Sequence, residues 1–244
     1  MHYAILADIH SNLAALIAVL DDIKRRGGVD EVWCLGDIVG YGPDPHDCIS
    51  RLRQMNHVCV MGNHDGAAIG KVDISVFNPD AATANRWTAR QLTPDESDYL
   101  SHLPLVIEKG DFTLTHGSPR EPIWEYLLST WSAQENLAHF RTRFCFVGHT
   151  HSPLVFACEE TGGCAAHHFE PEIPLVLGER RLIINPGAVG QPRDGDPRAS
   201  YAIYDSDARV VNLHRVPYDI RATQASMMAQ GLPAALATRL SHGV

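Results

Sequence analysis

The sequence predicts a fold that mixes helices and strands, α/β in the broad sense (α+β), and that contains two β-sheets. In residues 1–65, apolar strand-like runs alternate with polar loops and helical segments, which predicts a largely parallel first sheet. Beyond residue 151, short strand-like runs separated by Gly, Pro or Asp turns predict a second, hairpin-rich sheet. No internal repeat and no low-complexity linker separates the two parts, so we expect a single domain over residues 1–244.

Three strand–loop units open the chain. Apolar residues recur at helical spacing over residues 13–20, and the Gly pair at 27–28 predicts the end of that helix. The predicted segments are strand 2–7, loop 8–12 and a helix from residue 13; strand 31–35, loop 36–45 and helix 46–55; and strand 57–61 with loop 62–65.

The later elements follow from helix start signals and turns. Residues 79–103 are predicted to form two helices, because segment 93–96 combines an N-cap Thr, a Pro at the first helical position and a Glu at the third. The other predicted segments are strands 105–108 and 112–115, a helix near 132–141, strands 144–147, 154–158, 165–169, 181–184, 201–204 and 210–215, and a helix over 220–240 interrupted at 231–233.

The charge of the chain excludes some classes of partner. The formal net charge is −9, the pI is about 5.8, and no Lys/Arg-rich block occurs, which disfavours electrostatic binding of long nucleic acid. No apolar run is long enough to span a bilayer, so no membrane partner is expected. A small phosphorylated substrate such as a nucleotide fits, because bound metal can supply positive charge that a side-chain count omits.

The six cysteines indicate a compartment. They form no Cys-x-x-Cys pair, and no signal peptide precedes the first strand, so a reducing, cytoplasmic location is expected. Cys158, Cys164, His167 and His168 resemble a small metal cluster, although their spacing matches no standard zinc finger and a hairpin turn is the alternative.

Five polar clusters share one context, since each follows an apolar strand-like run. In open α/β sheets ligands bind at the carboxyl ends of the strands, so five such ends predict one common site. The clusters are Asp8-Ile9-His10, Gly36-Asp37, Gly62-Asn63-His64-Asp65, Thr115-His116-Gly117 and Gly148-His149-Thr150-His151. Each cluster alone has an ordinary explanation as a turn or strand end, and the prediction depends on the complete set.

Their composition indicates metal binding. In an extended segment residues i and i+2 point to the same side, so Asp8 and His10 can face one centre, as can His149 and His151. Imidazole, carboxylate and amide ligands together suit first-row metals such as Mn, Fe, Ni or Zn. Seven candidate ligands are more than one tetrahedral zinc ion can bind. The set fits better to two divalent or trivalent ions that share a carboxylate, which typically lie about 3.5–4 Å apart.

These motifs resemble those of the calcineurin-like metallophosphoesterases. The pattern is Asp-x-His, Gly-Asp, Gly-Asn-His-Asp/Glu, a lone His and Gly-His-x-His, and all five parts occur here in that order within residues 8–151. The resemblance implies a four-layer αββα fold, a two-sheet β-sandwich flanked by helices, over nearly the whole chain. Segments 35–43 and 184–193 are similar to those of a small, prokaryotic, single-domain branch.

The resemblance also implies roles for individual residues. Asp37 would bridge two metals, and His64, which is not a ligand, would protonate the leaving oxygen or steady the phosphoryl group, with Asp65 orienting it. Attack by a metal-activated hydroxide would then hydrolyse a phosphomonoester or phosphodiester. The implied ligand sets are Asp8, His10, Asp37 and His151 for one metal, and Asp37, Asn63, His116 and His149 for the other.

One departure bears on specificity. The Ser/Thr protein phosphatases of the family follow Gly-Asp with a further Asp-Arg-Gly, whereas the loop here continues Ile38-Val39-Gly40-Tyr41. Phosphoprotein phosphatase specificity is therefore disfavoured. A dinucleoside polyphosphate hydrolase is another enzymatic alternative, and a non-catalytic scaffold of the same fold is disfavoured because His64 and every expected ligand are present.

Candidate substrate contacts lie outside the motifs. Arg193 could clamp a phosphate with its planar fork, as could Arg198, with solvated salt bridges as the alternative for both. Asn185 and Tyr41 are further candidates as parts of the pocket wall, with a simple turn over 185–187 as the alternative for Asn185. Asn12 could contact substrate, or could instead cap the helix that follows it.

Overall fold

The strands form two six-stranded sheets that face each other. The computed structural model describes residues 1–159 and 162–244. In the first sheet the order is β3-β2-β1-β11-β12-β9, parallel from β3 to β1 and antiparallel from there on. Its strands are β1 (His2–Leu6), β2 (Glu31–Cys34), β3 (His57–Cys59), β9 (Leu175–Val176), β11 (Ala199–Asp205) and β12 (Val210–Val216).

The second sheet is also mixed. Its order is β4-β5-β6-β10-β7-β8, with the parallel pairs at its centre and antiparallel hairpins at both edges. Its strands are β4 (Val106–Lys109), β5 (Phe112–Thr115), β6 (Phe144–Phe146), β7 (Pro153–Cys158), β8 (Cys164–His168) and β10 (Arg181–Pro186).

Helices cover the outer faces of this sandwich. The predicted capping box is present, since Thr93 accepts from the backbone of Glu96, whose carboxylate accepts in return from the Thr93 amide. The α-helices are α1 (Leu13–Arg25), α2 (Pro45–Arg53), α3 (Asn63–Ala68), α4 (Pro79–Gln91), α5 (Pro94–Ser101), α6 (Thr130–Asn136), α7 (Ile220–Ala229) and α8 (Ala234–Arg239). Short 3₁₀ turns occupy Ile74–Val76 and Leu137–His139.

The hydrophobic core is divided by the layers. One cluster, which includes Ile5, Trp33 and Phe146, fills the space between the two sheets. A second cluster joins the first sheet to α1 and α2, and a third joins the second sheet to α6. Each sheet therefore buries both faces, which confirms the expected two-sheet sandwich between helices.

Three expectations about the elements were wrong. The first sheet is not largely parallel, because β11, β12 and β9 join it through antiparallel pairs. The strands after residue 151 do not form a sheet of their own: β7, β8 and β10 complete the second sheet, whereas β9, β11 and β12 extend the first. Periodicity identifies a strand but carries no information on which distant strand it pairs with. The segment expected as loop 62–65 begins helix α3 at Asn63, because the Asp65 carboxylate satisfies the free amide of Gly62 at the helix start.

Cys158 and Cys164 form a disulfide. They are direct partners in the β7–β8 hairpin, with Cα atoms 4.1 Å apart. The suggested metal cluster with His167 and His168 is therefore wrong, because both sulfurs are bonded and both imidazoles are exposed. In the described part of the chain, no helix is long and apolar enough to cross a membrane.

Candidate metal centre

The predicted ligands converge at one end of the sandwich. Asp8 follows β1, Asp37 follows β2, His116 follows β5, and the pair His149 and His151 follows β6. Asn63 is the first residue of α3, which follows β3. All seven predicted ligand side chains are at most 3% exposed, so loops from both sheets enclose them.

The backbone of these loops is unusual. Asp8, His10, Asp37, His149 and His151 all have φ values between 50° and 64°, in the left-handed region that non-glycine residues rarely adopt. The expected extended conformation is therefore wrong at these residues. The side chains converge because tight left-handed turns, held by surrounding loops, redirect them. Such strain typically persists only where the surroundings fix it, often at functional sites.

Within the described residues, two groups of side chains are close enough to hold metal ions, and they share Asp37. In the first, Nε2 of His10 lies 3.0 Å from Nε2 of His151 and 3.6 Å from Oδ2 of Asp37. Asp8 completes this group through Oδ1, which lies 3.4 Å from Nε2 of His151.

The second group lies on the other side of the same carboxylate. Nε2 of His116 is 3.4 Å from Oδ2 of Asp37, 3.1 Å from Nδ1 of His149 and 3.0 Å from Oδ1 of Asn63. Oδ2 of Asp37 therefore lies within 3.6 Å of an imidazole nitrogen in each group.

The remaining ring nitrogens orient three of the histidines. Nδ1 of His10 donates to the Val39 carbonyl, and Nδ1 of His151 donates to the Gln191 carbonyl at 2.6 Å. Nδ1 of His116 donates to the Leu35 carbonyl at 2.8 Å. A carbonyl can only accept, so in the neutral form of each ring Nε2 is free of a proton and directed to the centre, as metal-ligating histidines require.

The electrostatics fit cations at this position. Burial raises the pKa of Asp8 to about 7, and the neighbouring Asp37 adds to that effect. Burial lowers the pKa of His116, but Asp37 outweighs burial and raises that pKa to about 9. Oδ2 of Asp37 and Nε2 of His149 are buried without a hydrogen-bond partner in the described part of the chain. This donor set therefore accommodates metal ions, whose charge would replace that of the His116 proton.

His64 lies beside both groups. Its ring centroid is 4.8 Å from that of His10, and its backbone amide donates to Oδ1 of Asp37 at 2.8 Å. Gly40 is required here, because a Cβ at that position would lie 2.8 Å from Cβ of His64.

The expected contact between Asp65 and His64 is wrong. Both carboxylate oxygens of Asp65 accept from backbone amides, those of Val39 and Gly62, at 3.1 Å each. The side chain that meets His64 is Asn85 of α4, whose Nδ2 lies 2.9 Å from Nδ1 of His64. No motif marks Asn85, which is separated from His64 by 21 residues and reaches it only through packing of α4 on α3.

This contact assigns the tautomer of His64. Nδ2 of Asn85 also donates to the Ala81 carbonyl at 3.1 Å, so it is the amide nitrogen, and not the amide oxygen, that faces His64. Nδ1 of His64 must then accept, which leaves the ring proton on Nε2. Burial lowers the pKa of His64 to about 4.

The predicted substrate contacts have different environments. Asn12 caps α1, with its oxygen accepting from the Ala15 amide and its nitrogen donating to the Gly190 carbonyl, so the capping alternative is confirmed. Asn185 donates to the Gly148 carbonyl at 2.7 Å and so holds the loop that carries His149 and His151. Both side chains are at most 3% exposed.

Tyr41 and Arg193 lie at the edge of the centre. The Tyr41 ring packs 4.6 Å from His10 and 4.3 Å from His64, and its hydroxyl accepts from Arg193 at 3.4 Å. Arg193 has no carboxylate within 4 Å in the described residues, whereas the more exposed Arg198 is paired with Asp196 at 2.6 Å. The salt-bridge alternative therefore holds for Arg198 and not for Arg193.

Comparison with known proteins identifies a family for this arrangement. Residues 1–209 match the model of the calcineurin-like phosphoesterase superfamily domain. The crystal structure of a metallophosphoesterase from Sphaerobacter thermophilus is 50% identical and superposes with a TM-score of 0.91, covering 100% of this chain and 99% of that one. An uncharacterized protein of Methanocaldococcus jannaschii is 40% identical, over 98% of this chain and 97% of its own length.

A more distant similarity concerns an enzyme of named activity. A symmetrical bis(5′-nucleosyl)-tetraphosphatase of Vibrio cholerae is 26% identical over 136 residues, which is 54% of this chain. The matched region spans about half, 49%, of that relative's length.

Proposed function

The chain belongs to the calcineurin-like phosphoesterase superfamily, and on this premise we propose that it is a dinuclear metal-dependent hydrolase of phosphomonoesters or phosphodiesters. The observation that carries the proposal is the position of Asp37. Its Oδ2 atom has no hydrogen-bond partner in the described residues and lies 3.6 Å from His10 and 3.4 Å from His116. A carboxylate between two clusters of imidazoles is the arrangement that a bridging ligand requires.

The proposed ligands follow from these two groups. Asp8, His10, Asp37 and His151 would hold one ion, and Asp37, Asn63, His116 and His149 would hold the other. We propose divalent or trivalent Mn, Fe, Ni or Zn, with manganese as the first ion to test, because mixed imidazole, carboxylate and amide ligation suits these metals. When bound, such ions supply Lewis-acid activation of water and neutralise charge on the phosphoryl group.

The side chains around the centre have separate tasks in this proposal. His64 directs Nε2–H to the leaving-group oxygen, where negative charge develops as the P–O bond breaks. An anionic substrate would raise the pKa of His64 above its buried value and so favour the imidazolium form, which can give its Nε2 proton to the leaving oxygen and return to the neutral imidazole. Arg193 lies beside Tyr41, has no carboxylate partner among the described residues, and binds a non-bridging phosphoryl oxygen.

The substrate is proposed only as a class, a small phosphoester such as a nucleotide. A dinucleoside polyphosphate is the second candidate, favoured by the similarity to the Vibrio cholerae tetraphosphatase. The single-domain organisation and the cytoplasmic location stay predictions. Four buried cysteines are free, which suits a reducing compartment, whereas the Cys158–Cys164 bond does not.

A metal-supplemented substrate screen tests the function. The chelated protein is reloaded with Mn²⁺ and, in separate assays, with Fe, Ni or Zn, and it is offered p-nitrophenyl phosphate, bis-p-nitrophenyl phosphate, cyclic nucleotides and dinucleoside polyphosphates. We expect hydrolysis of at least one class that chelator abolishes and Mn²⁺ restores. Absence of turnover with every substrate and each of the four metals would contradict the proposal and favour the scaffold alternative.

A further inference from the structure

An arc of aromatic side chains lies outside the metal ligands. The ring of Tyr126 stacks on His149 with centroids 3.9 Å apart, and the ring of Trp124 lies 6.4 Å from the same imidazole. Phe77 closes the arc on the opposite side, 5.0 Å from Trp124 and 5.0 Å from His64. The arc therefore runs from a proposed metal ligand to the proposed proton donor.

These rings remain accessible to solvent. Trp124 is 36% exposed and Tyr126 is 46% exposed, although each ring already packs on one side against the site. Core packing would bury such large apolar groups more completely, since a ring that stays in water contributes little of the stabilisation gained by transfer to an apolar core. An exposed aromatic pair in contact with a buried polar centre is typical of a ligand-binding surface.

The loop that carries the pair is held firmly. Glu125 stands between Trp124 and Tyr126, and its carboxylate accepts from Ser118 at 2.6 Å and from Asn136 at 2.9 Å. Arg120 forms an ion pair with the same carboxylate. These bonds anchor the loop to α6 and fix the backbone on both sides of Glu125. Binding of a ligand that stacks on the two rings would consequently cost little conformational entropy of the loop.

We propose that Trp124, Tyr126 and Phe77 form a subsite that stacks a nucleobase of the substrate. The occupant must be attached to the phosphoryl group, because the arc is continuous with the metal centre through His149 and His64. A flat π-surface suits a purine or pyrimidine, since every base presents an aromatic face, whereas a sugar phosphate or a phosphoserine peptide offers no aromatic ring. The inference deepens the proposed function by selecting nucleotides within the phosphoester class.

Binding of two phosphates that differ only in the base tests the proposal. Adenosine 5′-monophosphate and ribose 5-phosphate are titrated by calorimetry into the metal-loaded wild-type protein, Trp124→Ala, Trp124→Phe and Trp131→Ala. Trp131 is the matched control, because it is 68% exposed on α6 and, in the part of the chain that the structure describes, has no ring contact with the site. Stacking on an aromatic side chain changes affinity by about tenfold or more.

We expect the wild type and Trp131→Ala to bind adenosine 5′-monophosphate about tenfold tighter than ribose 5-phosphate. Trp124→Ala should lose that preference and Trp124→Phe should retain most of it. Equal dissociation constants for the two probes in the wild type, or an unchanged preference in Trp124→Ala, would overturn the subsite. The readout needs no turnover, so a base preference without hydrolysis would contradict the proposed function and leave the subsite intact.

Discussion

The side-chain amide of Asn85 lies 2.9 Å from Nδ1 of His64, and both residues are buried at the edge of the metal centre. The same amide nitrogen donates to the Ala81 carbonyl one turn earlier in α4. Two contacts therefore determine which way the amide points. The orientation of the imidazole and the nitrogen that carries its proton depend on a residue that belongs to none of the sequence motifs.

Asn85→Ala should lower kcat by about 10–100-fold while leaving the metal content unchanged, because loss of an orienting partner typically has that cost. Thr88→Val is the control, since Thr88 lies one turn later in α4, is buried, and donates its hydroxyl to the Ala84 carbonyl. Steady-state kinetics and elemental analysis of each variant measure the two quantities. A variant that loses metal together with activity would contradict a role confined to His64.

His64→Ala should keep both metals and lose about 10²–10⁴-fold in kcat, the range typical of a general acid. The loss should be smaller for an ester with a good leaving group, which needs less protonation, so p-nitrophenyl and alkyl phosphates are compared. His102→Ala, which changes an exposed histidine, should behave as wild type. Turnover at the wild-type rate in His64→Ala would disprove the assigned role.

Asp37→Asn should lose metal occupancy as well as activity, because it removes the charge that both groups of imidazoles share. It also weakens the acceptor of the His64 backbone amide, so the loop at the start of α3 should loosen. Metal content by elemental analysis and thermal unfolding with and without Mn²⁺ are the measurements. Asp47→Asn, an exposed carboxylate of α2, is the control, and full occupancy in Asp37→Asn would exclude bridging.

Arg193→Gln should raise KM by about tenfold or more and change kcat less, since a charge-assisted hydrogen bond to a bound phosphate is worth about 1.5–3 kcal/mol. Arg198→Gln removes a guanidinium five residues away that is already paired with Asp196, and it should leave both constants near wild type. Equal effects of the two substitutions would indicate a general electrostatic contribution instead of a direct contact.

Asp22 should make the free energy of unfolding depend on pH in the acid range. Burial raises its pKa, but hydrogen bonds from Arg26, Tyr201 and Arg25 outweigh burial and hold the pKa below its usual range. A carboxyl group with a depressed folded-state pKa stabilises the fold above its unfolded pKa of about 4, and this contribution is lost as pH falls through the folded value.

The free energy of unfolding of Asp22→Asn should therefore lie below that of wild type from pH 7 to about 5, and the difference should shrink below about pH 4. Urea unfolding of both proteins across this range measures it. A difference that stayed constant down to pH 3 would show that the lost contacts do not depend on the charge.

The sequence by itself determined the family, the fold class and most of the elements. Strand ends carry the motifs, and residue types such as the pair His149 and His151 are recognisable because metal ligation restricts the side chains that can serve. Local signals such as the capping box at Thr93 and the break at 231–233 depend on neighbouring residues, and the structure confirms them.

Only the tertiary structure decided how distant segments meet. It placed β11 and β12 in the first sheet. It also showed that Asp65 accepts from backbone amides, that Asn85 contacts His64, and that Trp124 lies near His149 at the edge of the site. The physical reason is the same in each case. Strand pairing, hydrogen bonds between helices and ring stacking depend on distances across the fold, whereas periodicity and capping extend over a few residues along the chain.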